Sequence, residues 1–377
     1  MKKKKNRTYI LLYLAFNIYF YIPTCEDEGC CTKYCDNCLL YCCDTLEEEE
    51  SNINLLSKIN KEKLTLIIKH IYNNFYTKDK KNEIKKSTYT KEEQEYIIER
   101  LSNGYQGDIY KVTTNGVSFI VKRINERYAY GEDQENKIKG ENAIMKCLNN
   151  EEGVVNFYFS CCYKGILFIV MEYCELGDLE NYLKNNKEEA KQNYKDFSLQ
   201  ILNILKVLRN KKIIHRDIKP ENFIMKKDED KIIIKLCDFG TSAISEGKSE
   251  LYIGYHKYKS NIFKQWYIKY YKERDKKAFF NPFNEDLFSA AIILYRIYNN
   301  GDFPKFTQEY IRGEVASSLF TKFTKDIQAF NDYFNTKDYT EHKYEIYNKI
   351  FFKFKDKKDN DTIDLDEFIN EVNHWKL

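Results

Sequence analysis

The residues His215-Arg216-Asp217-Ile218-Lys219-Pro220-Glu221-Asn222, followed by Asp238-Phe239-Gly240, constrain this chain more than any other feature of it. Each polar residue in them has a chemical reason to be there. Asn222 and Asp238 offer hard oxygen ligands of the kind a small divalent cation takes. Asp217 is a carboxylate able to accept a proton, and Lys219 is a cation two residues away. What this set serves depends on what else the chain provides in the same order.

Composition narrows the setting. The 377 residues hold one large or two ordinary domains, with 43% hydrophobic and 32% charged residues, which is a globular balance. A net charge of +3 gives the chain as a whole no nucleic-acid-binding signature. Of the twelve cysteines, Cys147, Cys161, Cys162, Cys174 and Cys237 sit among apolar residues and read as small buried hydrophobes.

Upstream, Leu101-Ser102-Asn103-Gly104-Tyr105-Gln106-Gly107-Asp108-Ile109-Tyr110-Lys111-Val112 reads as a hairpin with glycines at its turn. The next strand, Val117 to Ile124, delivers Lys122, and a lysine ending a buried strand needs a partner. Glu141, in the helix-like Glu141 to Leu148, is the candidate. Val154 to Tyr163 and Ile166 to Met171 read as two further strands leading into Glu172-Tyr173-Cys174. In order and spacing these parts resemble the eukaryotic-type protein kinase family, and Lys219 two places after Asp217 resembles its serine/threonine class.

The resemblance implies an α+β, bilobal fold: a small β-rich N-lobe with one key helix, and a large, mainly helical C-lobe. It also implies the chemistry. Gly104, Gly107 and Ile109 would lie over ATP, and Lys122, held by Glu141, would reach its α- and β-phosphates. Glu172 and Cys174 would present hinge backbone to the adenine, with Met171 as gatekeeper. Asn222 and Asp238 would hold Mg²⁺, Asp217 would orient the substrate hydroxyl and accept its proton, and Lys219 would neutralise the transferring phosphoryl group. The expected partner is a protein substrate, with its hydroxyl on Ser or Thr.

Some marks depart from the family pattern. Ser102 replaces the first loop glycine, Ile120 replaces the small residue that roofs adenine, and Tyr255 stands where a threonine is usual. Ser260-Asn261-Ile262 replaces Ala-Pro-Glu, and residues 356–364 hold no arginine to pair with a glutamate there. Both partners of a buried ion pair are therefore missing, and Ile262 is expected to pack against apolar neighbours such as Ile363 or Phe368. Phe263 to Phe283 looks longer than the family needs and forms a strongly basic patch beside the expected substrate site. Asp286 to Tyr295 resembles the buried central helix of the large lobe. Asp356, Asn360, Asp364 and Glu367 imitate a calcium loop, but Lys358 puts a cation at a ligand position and Asp361 replaces the turn glycine.

The N-terminal residues read differently. Lys2 to Lys5 and Arg7 precede an apolar run from Tyr9 to Ile22, the pattern of a signal peptide or signal anchor over 1–24. Residues 8–22 would anchor the chain in a membrane if it is not cleaved, and either form predicts a translocated kinase domain. A cytoplasmic chain is the alternative. The cysteine cluster at 25–43 has three readings: disulfides, lipidation beside the apolar segment, and a zinc knuckle at Cys35 and Cys38. Residues 44–95 read as a helical and charged linker, with Leu64, Ile67, Ile68 and Ile71 at helical spacing and Lys78 to Lys91 as charged coil. The kinase domain is expected at 96–377, with the N-lobe at 96–171, the hinge at 172–174 and the C-lobe at 175–377. An active Mg·ATP-dependent kinase is the primary expectation. A pseudokinase that binds nucleotide or acts as a scaffold is the alternative, and the full 215–222 string disfavours a small-molecule kinase.

Overall fold

Runs that are apolar on both faces mark the middle of a sheet, and runs that alternate mark its flanks. The computed structural model describes residues 61–75, 86–91, 94–103, 107–124, 132–164, 166–245, 256–275, 277–278, 280–307, 316–355 and 362–375. The expected signal segment, the cysteine cluster, Gly104 and Tyr255 lie outside the described residues.

The first elements are α1 (Lys61–Phe75), β1 (Lys86–Lys91), β2 (Gln94–Asn103), β3 (Gly107–Thr114), β4 (Val117–Ile124), α2 (Glu132–Cys147), β5 (Phe157–Tyr163) and β6 (Ile166–Glu172). The strands form one six-stranded antiparallel sheet in the order β1-β2-β3-β4-β6-β5. Central β6 is buried along its whole length, as its unbroken Ile-Leu-Phe-Ile-Val-Met sequence requires.

Strand β1 corrects the reading of residues 78–91 as charged coil. Lys86-Ser87-Thr88-Tyr89-Thr90-Lys91 pairs in register with β2, Tyr89 opposite Tyr96. Backbone pairing needs no apolar run, and lysines on an edge strand protect it from further pairing. The sheet therefore begins before Tyr96.

Helix α1 presents Leu64, Ile67, Ile68 and Ile71 on one face, each at most 2% exposed. Its next turn touches both edges of the sheet. His70 packs on Tyr89 of β1 (centroids 4.9 Å) and lies 3.2 Å from the Ser87 hydroxyl. Tyr72 meets Tyr163 of β5 edge-on at 5.2 Å. Helix α1 therefore reaches across the sheet from one edge strand to the other. Tyr96, Ile98, Tyr110, Val112, Phe119, Val121, Phe168 and Val170, none more than 2% exposed, form the buried face that α1 closes. On the opposite face Ile120, Ile169 and Met171 join the core of the large lobe.

That lobe contains β7 (Gly177–Asp178), α3 (Leu179–Asn185), α4 (Lys187–Gln192), α5 (Tyr194–Asn210), β8 (Ile213–Ile214), β9 (Phe223–Asp228), β10 (Lys231–Leu236) and β11 (Ala243–Ile244). After them come α6 (Asn261–Tyr267), α7 (Pro282–Tyr298), α8 (Ala316–Tyr333), α9 (Lys337–His342), α10 (Ile346–Lys355) and α11 (Leu365–Asn373). Helix α7 is its buried axis, capped by Asn281 and with Pro282 in its first turn. The small strands pair as β10-β9-β7 and β11-β8, which sets the loops between them side by side.

The expected basic patch at 263–283 is only partly that. Phe263, Trp266, Phe280 and Phe323 make a second apolar cluster of this lobe, and Lys264 is buried in an ion pair with Asp326 of α8 at 2.7 Å. Lys269, Lys272, Arg274 and Lys277 are exposed.

Ile262 is half-buried and packs against the core that contains Ile363 and Phe368. The site of the missing ion pair is not wholly apolar, however. Asn261 donates to the Phe354 carbonyl at 3.1 Å, and the Ile363 amide donates to Asn284 at 2.9 Å. Arg209 of α5 donates to the Ile363 carbonyl and lies over Phe283. Amides and an arginine from another helix hold the loop that the family would tie with a glutamate. Of the calcium-like residues, Asp364 caps α11 and Glu367 pairs with Lys353 at 2.8 Å; Asp356 and Asn360 lie outside the described residues.

Candidate active site

Strand β4 carries Lys122 to the inner face of the sheet, where its residue is 5% exposed. Its Nζ lies 2.7 Å from Glu141 Oε1 on α2 and 2.8 Å from Asp238 Oδ1. Burial alone would lower its pKa, but Asp238 and Glu141 raise it well above the usual lysine value, so the ammonium is kept. Burial acts the other way on Asp238, yet Lys122 outweighs it and holds that carboxyl below the ordinary range. At Glu141 burial wins and lifts the carboxyl. One lysine thus ties the sheet, the helix and the Asp238-Phe239-Gly240 loop together.

The loop after β8 is held by its backbone. Asp286 of α7 accepts from the amides of His215 at 2.7 Å and Arg216 at 3.0 Å. Lys219 Nζ stands 2.6 Å from Asp217 Oδ2. Asn222 donates its side-chain N–H to the Asp217 carbonyl at 2.8 Å, and its own backbone carbonyl accepts from Cys237 at 2.9 Å. That last bond couples the Asp217 loop to Asp238, which takes a left-handed conformation at φ 63°. The His215 ring meets fully buried Phe239 edge-on at 5.2 Å. The fold therefore joins Lys122, Glu141 and Asp238, 116 residues apart at the extremes of one contact, to the loop that carries Asp217, Lys219 and Asn222.

The pairing of β3 with β4 by itself requires glycine at 107. A Cβ there would stand 2.2 Å from the Arg123 carbonyl of the neighbouring strand. Gly107→Ala should therefore lower stability by about 1–3 kcal/mol, the usual range for overpacking, as a drop in melting temperature. An unchanged melt would mean that β3 and β4 do not run this close.

Ile109 is half-buried against the main core, and Ile120 pairs in register with Met171. Glu172, expected to offer only its backbone to the adenine, turns its side chain to Lys235 at 2.6 Å and Lys226 at 2.9 Å. Burial would raise its pKa, and the two lysines hold it below the ordinary value instead. Any hinge role falls to its backbone. Cys174 is buried, which pushes its thiol up to about 12 and leaves it inert as a nucleophile. Sequence reasoning gave no role to Asp286; an acid at the head of the mostly apolar run Leu287 to Tyr295 was the signal.

A family model described as protein kinase domain matches residues 96–350. This chain belongs to the protein kinase family. Among curated relatives, the kinase is 30% identical to serine/threonine-protein kinase PKH2 of Candida albicans over 135 residues, 36% of this chain and 14% of that protein. It is 28% identical to serine/threonine-protein kinase atg1 of Dictyostelium discoideum over 192 residues, 45% of this chain and 27% of that protein. It is 31% identical to calcium-dependent protein kinase 27 of Arabidopsis thaliana over 215 residues, 53% of this chain and 40% of that protein. The kinase thus spans less than half the length of these relatives. It is of the eukaryotic serine/threonine type, a class whose members transfer phosphate to proteins.

Proposed function

We propose that this kinase is catalytically active, transferring the γ-phosphate of ATP to serine or threonine hydroxyls of protein substrates with Mg²⁺. The observation that carries the reading is the assembled contact of Lys122 with both Glu141 and Asp238. The donor set fits the metal. Asp238 is held ionised by Lys122, and Asn222 uses its N–H groups on Asp217, which leaves its side-chain carbonyl oxygen as a hard ligand. Asp238 and Asn222 would hold Mg²⁺, which when bound would supply positive charge against that of the phosphates.

The protein's own groups supply the rest. Lys122 binds the α- and β-phosphates from a fixed position. Asp217 orients the hydroxyl and accepts its proton late in transfer, and Lys219 neutralises charge on the group in flight. The departures at Ser102, Ile120 and Tyr255, and the missing Pro-Glu at Asn261-Ile262, support the pseudokinase alternative, since they shape pockets without doing chemistry.

Incubation of the full chain with labelled Mg·ATP separates the two readings. Label should enter the kinase itself or a generic Ser/Thr peptide, and excess EDTA should abolish it. ATP binding without any transfer, under the same conditions, would leave the pseudokinase reading standing.

A further inference from the structure

Lys259 is 2% exposed and belongs to none of the machinery above. It follows the short turn His256–Tyr258 and precedes Ser260, the N-cap of α6. Its Nζ donates to the carbonyl of Arg216 at 3.3 Å. Arg216 is the residue before Asp217, and its φ of 70° lies in the left-handed region that a non-glycine residue takes only when its surroundings hold it there.

Those surroundings can be named. The Arg216 amide is held by Asp286 at 3.0 Å. Its guanidinium donates to the carbonyls of Thr241 and Ser242 at the start of the activation segment. Lys259, at that segment's other end, takes the carbonyl. Beside it, the amide of Ser260 donates to Glu285 at 3.2 Å and its hydroxyl donates to the same carboxylate. Glu285 and Asp286 are neighbours on α7, so one turn of one helix holds both the catalytic loop and the end of the activation segment.

Stability does not explain a lysine here. Burial drives Lys259 down to about 7 and Glu285 up to about 7, so enclosing the two charges costs the fold more than an apolar pair would. An apolar side chain, however, could not donate to the Arg216 carbonyl.

We propose that Lys259 is a positioning residue for phosphotransfer: it clamps the Arg216–Asp217 peptide, and so makes the aim of Asp217 depend on the C-terminal end of the activation segment being docked on α7. The proposal rests on the active-kinase reading and deepens it.

The test uses the full chain, Lys259→Met, and the double variant Lys259→Met with Glu285→Gln, which avoids stranding a buried acid. The double variant should melt close to wild type. Its kcat on a Ser/Thr peptide should fall about 100-fold, the effect of an ångström-scale misplacement, with KM for ATP within about 2-fold. Amides of 214–219 should exchange with deuterium faster than in wild type, while those of α7 keep their protection. Wild-type kcat together with wild-type exchange in the double variant would overturn the proposal. If wild type itself transfers no phosphate, the active-kinase reading fails, and the exchange experiment then decides alone. Unchanged protection of 214–219 would reject the clamp, and increased protection loss confined to them would uphold it.

Discussion

Asp217→Asn will lower phosphotransfer by about 10²–10⁴-fold, the contribution of a positioned general base, and leave ATP affinity where it is. Asparagine has the same shape, and its carbonyl oxygen still accepts from Lys219, which stands 2.6 Å from the native carboxylate. The backbone bond from Asn222 to the carbonyl of residue 217 does not depend on the side chain. The fold and the nucleotide cleft should therefore survive, while the proton acceptor is gone. Lys122→Met should differ in kind. It removes the cation from between buried Glu141 and partly exposed Asp238; breaking a buried ion pair costs about 3–5 kcal/mol, so activity and melting temperature fall together. Isothermal titration with Mg·ATP and labelled transfer, run on both variants, distinguish these outcomes. Transfer by Asp217→Asn at the wild-type rate would remove Asp217 from the mechanism.

The contrast between those residues and Lys259 shows what a sequence displays and what it hides. Asp217, Asn222 and Asp238 were legible because their chemistry needs those side chains in that order, and no packing role substitutes for it. Lys122 was legible because a lysine in a strand as apolar as β4 demands a partner. Lys259 stands in Tyr255-His256-Lys257-Tyr258-Lys259-Ser260, where it looks like any solvated lysine. Only the turn at His256–Tyr258 and the docking of α6 carry it indoors. At Gly107 the sequence displayed a turn glycine but not the approach of Arg123's carbonyl, which depends on how β3 and β4 pair. Strand β1 was missed because an edge strand is defined by its partner's backbone, and its six residues carry no apolar alternation beyond Tyr89. Arg209 was missed because its acceptor, the Ile363 carbonyl, lies 154 residues away.

Removing α1 and β1 should unfold the small lobe, even though the family match begins only at Tyr96. Leu64, Ile67, Ile68 and Ile71 are each at most 2% exposed, and a buried aliphatic side chain is worth about 1.5–3 kcal/mol. Together they contribute roughly 6–12 kcal/mol as an upper estimate, against a typical total stability of about 5–15 kcal/mol. The loss is compounded on the other side of the contact. Without α1, the face built from Tyr96, Ile98, Tyr110, Val112, Phe119 and Val121 would meet water, and β2 would become a long edge strand open to pairing with another chain. A chain begun at Tyr96 should therefore be insoluble or lack a cooperative melt of the small lobe, whereas one begun ahead of Lys61 should behave as the full chain does. Ile68→Ala gives the graded version, a loss of about 2–5 kcal/mol read as a lower melting temperature. The consequence for function follows from geometry: β4 carries Lys122 on its inner face and Phe119 and Val121 on the face that α1 closes. A lobe whose outer face is unsupported cannot hold Lys122 between Glu141 and Asp238. A soluble, monomeric 96–377 chain that melts like the full protein and transfers phosphate would show that α1 only rests on the sheet.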